Sequence, residues 1–222
     1  MTGLQFPNEN EAYRNARQAL LDEEVLLRQQ VERVAEMRRA LPSGGLLKTD
    51  YVFQTVEDDQ VADVTFSDLF APGHTTLFVY SFMYSPTMDE PCSMCTSMVD
   101  GLNGQIDHLQ QKISTAVVAK HDPETLRDYA ALRGWDRLPL LSSAQNTFNQ
   151  DYHAEKDGRQ QPMAHVFLKD DDSIRHFWSS ELLYGPAFES GNPRHVDQLW
   201  PLWNILDLTP SGRGDWYPSI SY

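Results

Sequence analysis

The sequence predicts an α/β domain on a central mixed sheet, with a long N-terminal helical arm before it and an aromatic C-terminal extension after it. Three observations carry this. Residues 8–41 keep one amphipathic period without a break. Short apolar, β-branched runs then alternate with stretches of helical period. The only two cysteines, Cys92 and Cys95, stand where the most apolar run meets the following helix.

The arm comes first. Ala12, Ala16, Ala19, Leu20, Leu27, Val31 and Val34 recur at intervals of three and four between charged residues, the mark of an amphipathic helix. Pro42-Ser43-Gly44-Gly45 stops it. Its pattern is too irregular for a coiled coil, so the arm is expected to pack across its own domain or a partner subunit.

Short strands are predicted at Tyr51–Phe53 and Val61–Phe66. A buried central strand is predicted at Thr75–Met83, whose apolarity is nearly continuous. From Cys92 to Lys112, the positions Cys95, Met98, Leu102, Ile106 and Leu109 keep helical spacing, weakened by Gly101 and Gly104. Ile113–Ala119 is a further strand. Asp122-Pro123-Glu124 opens a helix that Gly134 closes. A short strand at Leu138–Leu141 and a short helix at Ser142–Gln150 follow. Tyr152–Gln161 is a polar loop ending at Pro162, and Met163–Lys169 with Ile174–Trp178 forms a hairpin around an acidic turn. A last helix is predicted at His195–Leu206, with Pro201 a blemish in it.

Strand, CxxC helix, strand, helix, insertion, proline, hairpin, helix is the order of a thioredoxin-like fold. The expected organisation is an arm at 1–45, a thioredoxin-like domain at 46–207, and a tail at 208–222 packed on the domain or a partner. Four of the five tryptophans lie from Trp178 onward, so this end should fold back on something. Arg213 is expected to hold a turn through an ion pair, with anion binding as the alternative.

Composition narrows the function. A net charge of −14 opposes nucleic-acid binding, which rests on Lys and Arg. No apolar stretch approaches the ~20 residues of a membrane span. The amino terminus lacks the basic region and apolar run of a signal peptide. A cytoplasmic location is therefore expected, where a disulfide is more often transient than structural.

A helix that starts at Cys92 puts Cys95 one turn on and on the same face, within reach of a disulfide. The helix end favours a thiolate at Cys92, which makes it the nucleophile and Cys95 the resolving thiol. Asp89 and Glu90 are expected to push the Cys92 pKa back up. Pro162 precedes the late hairpin and is expected to form a cis bond facing the thiols, shaping the substrate edge. No cofactor is expected.

Metal chemistry is the rival. The histidines form no HxxxH pair, so zinc lacks two ligands. Copper(I) suits soft sulfur donors, and Cys92, Cys95, Met88, Met94 and His165 would be its ligands, with Met98 nearby. A thiol peroxidase would need proline and threonine at fixed steps before its cysteine. Ser85, Asp89 and Glu90 stand at the positions tested instead.

The segments SFMYSPTMDEPCSMCTSMVDGLNG, LPLLSS and LDLTPSGRGDWYP, together with the long first helix, give the chain a resemblance. It is similar to bacterial domain-of-unknown-function family 899, described as predicted thioredoxin-like dithiol-disulfide oxidoreductases. The resemblance implies a thioredoxin fold and a working CxxC at Cys92 and Cys95, and it assigns Arg213 no role. The expected function is thiol-disulfide exchange with a protein or small-molecule partner. A Cu(I)-binding protein and a small-molecule enzyme assisted by the dithiol are the alternatives. A homo-oligomer would form through the first helix or the tail.

Overall fold

The computed structural model describes residues 4–171, 173–185 and 197–221. The chain divides into two compact units, residues 1–42 and 43–222. The first holds helix α1 (Glu11–Arg39), which is shorter than the apolar period suggests. Asn8 sits at φ 61 in the preceding turn, and the Asn10 side chain caps the helix by accepting the Tyr13 N–H at 2.8 Å.

The second unit opens with residues that run along a sheet. His176 N–H donates to the Gly45 carbonyl and Leu47 N–H to the Ile174 carbonyl, both within hydrogen-bond range. Gly44 is needed here: a Cβ on it would lie 2.1 Å from the His176 carbonyl oxygen. The next two strands, β1 (Val52–Glu57) and β2 (Gln60–Thr65), form a hairpin. Asp58 and Asp59 both take positive φ in its turn, the hand that matches strand twist. The polar Gln54 and Thr55 had hidden most of the first strand.

Strand β3 (Thr76–Ser81) is followed by α2 (Ser93–Asn103) and α3 (Ile106–Leu109), the expected single helix being broken at Gly104. Then come β4 (Ser114–Ala119) and α4 (Pro123–Arg133), with Asp122 as its cap and Gly134 closing it at φ 71. Next are β5 (Leu140–Ser142) and α5 (Phe148–Asp151). The polar stretch before Pro162 holds a two-residue ribbon, β6 (Glu155–Lys156) with β7 (Arg159–Gln160). Strands β8 (Met163–Lys169) and β9 (Ile174–Ser179) form the late hairpin. Helix α6 (Leu202–Leu206) is shorter than predicted because Pro201 starts it, and the predicted turns at His195 and Val196 lie outside the described residues.

The seven-stranded sheet runs β2-β1-β5-β4-β3-β8-β9. Strands β3, β4 and β5 are parallel, and the flanking pairs are antiparallel. This mixed sheet, with the CxxC helix following its central strand, is a thioredoxin-like fold.

Alternation along the strands builds two cores. Phe78 and Tyr80 of β3 and Phe82 just after it, with Ala164 of β8, join Cys95, Met98 and Val99 of α2 and Leu126 of α4. Leu77, Val79 and Phe167 face the other way, into an aromatic layer of Tyr51, Phe53, Phe66 and Phe148. The C-terminal segment around α6 completes the first core. Trp200 and Trp203 are buried there, and Trp200 Nε1 donates to Ser97 Oγ of α2 at 3.2 Å. Arg213 lies over the Trp203 ring, 3.8 Å from its centroid, and its backbone N–H donates to Asp207. Arg133 of α4 donates to the Ile220 carbonyl. Among the described residues, no helix is long and apolar enough to cross a membrane.

Candidate active site

Cys92 is the N-cap of α2. Its backbone N–H donates to the Met83 carbonyl just past β3, which ties the start of the helix to the end of the central strand. Pro91 is buried beside it and cannot continue any ladder, so the chain turns from strand to helix at this point. The Cys92 sulfur accepts the Cys95 N–H at 3.5 Å, as a capping side chain does.

The two thiols are free but unequal. Cys92 is partly exposed, while Cys95 is 2% exposed. Hydrogen bonding from the Cys95 thiol, together with the backbone N–H groups of Cys95 and Met94, outweighs burial and lowers the Cys92 pKa to about 6. The upward push expected from Asp89 and Glu90 does not prevail. Both side chains are exposed, where water and salt screen them, whereas the N–H groups touch the sulfur. Cys95 moves the other way: burial and the Cys92 thiolate raise its pKa well above the ordinary thiol value.

Beneath Cys95 lies Tyr80. It is 1% exposed, and its phenol hydrogen-bonds the Cys95 thiol, the one contact from β3 that favours a thiolate there. On the other side, Thr96 shares a 3.0 Å hydrogen bond with the Tyr129 hydroxyl of α4. The Tyr129 ring stacks on Phe82, and Tyr84 packs against His121 with ring centroids 4.6 Å apart. The dithiol therefore rests on an aromatic platform at the carboxyl ends of β3 and β4, where open α/β sheets bind ligands. Tyr80 was missed from sequence, although the parity of β3, with Phe78 and Phe82 on the same face, could have found it.

Two expectations need correction. The Gln161–Pro162 bond is trans; no cis peptide occurs among the described residues. Pro162 does stand one residue before the β3–β8 ladder closes with Ser81 opposite Met163. It thus stands immediately before the start of β8, joined to it by a trans bond.

His165 is the second correction. It points away from the dithiol into the aromatic layer, its ring centroid 5.8 Å from those of both Phe148 and Tyr152. The strand places alternate residues on opposite faces, and the face toward α2 belongs to Ala164 and Val166. Of the proposed copper ligands, Met94 packs with Cys92 and Cys95 around one core, and Met88 is half-buried in the preceding loop. Among the described residues, no group of three or more His, Cys, Asp and Glu side chains is placed to hold a metal ion.

Comparison with known proteins places the chain. The model of a family described as bacterial protein of unknown function (DUF899) matches residues 4–221. The chain belongs to that family. No curated protein matches it. Its fold is similar to several solved structures at low identity. AhpC from Enterococcus faecalis is 12% identical with a TM-score of 0.47, over 80% of this chain and 98% of that one. Reduced Prx3 from Vibrio vulnificus, in complex with hydrogen peroxide, is 14% identical with a TM-score of 0.46, over 72% and 99%. Peroxidoxin BcpB from Mycobacterium tuberculosis is 16% identical with a TM-score of 0.44, over 75% and 98%. DUF899 membership, a thioredoxin-like sheet and a CxxC at a helix cap meet in one molecule.

Proposed function

We propose that this chain is a thiol-disulfide oxidoreductase with Cys92 as nucleophile and Cys95 as resolving thiol. The observation that carries the reading is the inequality of the pair. One thiol is partly exposed, accepts from backbone N–H groups and is lowered to about 6; its partner is buried and raised. That is the division of labour that exchange requires.

The Cys92 thiolate attacks one sulfur of a substrate disulfide. A Cys92–substrate S–S bond forms, the substrate S–S bond breaks, and the departing sulfur leaves as a thiolate that takes a proton from water. Cys95 then loses its proton and attacks the Cys92 sulfur. The second substrate thiol departs, and the Cys92–Cys95 disulfide remains. Two electrons have passed from the dithiol to the substrate, and an external thiol donor must return them for another cycle. The substrate is a protein or small-molecule disulfide.

The test is trapping. Cys95→Ser should accumulate a mixed disulfide through Cys92, and Cys92→Ser should accumulate none. Trapping by Cys92→Ser alone would reverse the roles. If neither variant traps and both lose bound copper by elemental analysis, a sulfur-ligated metal site replaces this reading. A reduction potential for the pair then sets the direction of exchange.

A further inference from the structure

A cleft of about 1120 Å³ opens elsewhere on the second unit, bordered by Tyr152, His153, Lys156, His176, Ser179 and Tyr184. It lies over the sheet face into which His165 points. The Ser179 hydroxyl is held by two imidazoles: His165 Nδ1 and His176 Nε2 each lie 2.7 Å from its oxygen. The hydroxyl has one proton, so at most one ring accepts from it; with that ring accepting and the other donating, one oxygen lone pair is left over.

His165 is fully buried, and its Nε2 has no hydrogen-bond partner among the described residues. An unmatched buried polar atom is destabilising, and such a group calls for an explanation. Among Phe148, Tyr152 and Phe167, a phenylalanine would fit without that cost. What the imidazole adds is its other nitrogen, which fixes Ser179.

The rim carries charges of both signs. Asp151 is taken by Lys48 and the Tyr51 hydroxyl, Glu155 by Lys120 and Gln150, and Glu181 is exposed to water at the edge. Lys156 has no carboxylate partner among the described residues, and its Nζ stands 6.0 Å from the Tyr184 ring centroid. Tyr184 is itself anchored, its hydroxyl donating to the His153 carbonyl at 2.6 Å. The cleft therefore presents a fixed aromatic wall, a cation above it and an oriented hydroxyl with acceptor capacity.

We propose that this cleft binds a small aromatic carboxylate bearing a ring hydroxyl. The ring lies on Tyr184, the carboxylate meets Lys156, and the ring hydroxyl donates to Ser179. The site is independent of the dithiol.

The test is calorimetric titration of the full chain with 4-hydroxybenzoate, 4-hydroxybenzamide and benzoate. The hydroxy acid should bind saturably and shift the His176 imidazole resonances. The amide, which lacks the charge, and benzoate, which lacks the hydroxyl, should each bind about tenfold more weakly. Lys156→Gln, at an exposed ribbon position, should abolish the preference for acid over amide without changing the fold by circular dichroism. Ser179→Ala should abolish the preference for the hydroxy acid over benzoate. Cys92→Ser should bind as the parent does. No saturable binding, equal affinity for acid and amide, or an unchanged preference in Lys156→Gln would overturn the proposal.

Discussion

The Cys92 sulfur lies 3.5 Å from the Cys95 backbone nitrogen, so Cys95 supports a thiolate at Cys92 through its main chain as well as through its own thiol. This contact, with those from the Cys95 thiol and the Met94 N–H, opposes burial and holds Cys92 below the ordinary thiol value, while Cys95 is raised. A single helix start thus drives two neighbouring thiols apart.

Alkylation reads this directly. With iodoacetamide, labelling of Cys92 in the reduced protein should rise with a midpoint near pH 6, and Cys95 should stay unlabelled through neutral pH. Peptide mass spectrometry across a pH series checks it. A midpoint at the free-thiol value of ~8.5 would remove the helix-cap effect.

Tyr80→Phe should separate the two half-reactions. The phenol contacts Cys95 and supports its thiolate, so its loss should slow resolution of a preformed mixed disulfide several-fold. The first attack by Cys92 should change little. Stopped-flow measurement of both steps is the check, and an equal effect on both would argue for general disruption of the core. The stability cost should be about 1 kcal/mol, that of one lost hydrogen bond.

Charge around the dithiol should discriminate among small disulfides. From residue 49 to 111 the chain holds ten Asp and Glu and no Lys or Arg. An anionic aromatic disulfide should therefore react several-fold more slowly than a neutral or cationic one at low salt, with the gap closing as salt is added. Asp89→Asn with Glu90→Gln should narrow it without moving the Cys92 alkylation midpoint.

His165 sets a pH dependence of stability. Burial lowers its pKa to about 3, so between that value and the unfolded ~6.5 the unfolded chain binds the extra proton. Its contribution is complete above pH 6.5 and is lost as pH falls, at up to ~1.4 kcal/mol per pH unit. His165→Phe should flatten the fall in urea stability between pH 7 and 5. Part of the slope should remain from His176, which burial lowers too.

Gly44→Ala should destabilise the protein although Gly44 sits outside every helix and strand. Its Cβ would meet the His176 carbonyl, and separating the backbones costs ~1–3 kcal/mol. Thermal melting should show a lower midpoint, whereas Gly45→Ala, with open space around its Cβ, should cost less.

The sequence resolved most of the order of elements because each has a local cause. The β3 run, the Asp122 cap and the Gly134 stop act within a few residues. It misjudged what depends on partners distant in the chain. The polar half of β1 became a strand because β2 pairs with it, a contact no periodicity in Gln54-Thr55 announces. At the dithiol, position and asymmetry were legible because both follow from one helix start. The sign of the Cys92 shift was not, since it turns on short contacts to N–H groups against screened carboxylates. His165 entered only as a ligand of the copper alternative, and counting its strand register from Ala164 would have placed it on the face away from the dithiol.

The late position of Trp200 and Trp203 has a consequence for biogenesis. Trp200 and Trp203 close the core on which the dithiol helix rests, yet they are translated long after Cys92 and Cys95. At ~5–20 residues per second, the interval is on the order of ten seconds. During it the nascent helix lacks its final cover, and the thiol destined for burial is open to oxidants and to folding assistants. The redox state in which each new molecule is completed is thus set by the compartment of its synthesis, before the finished geometry can impose its own preference.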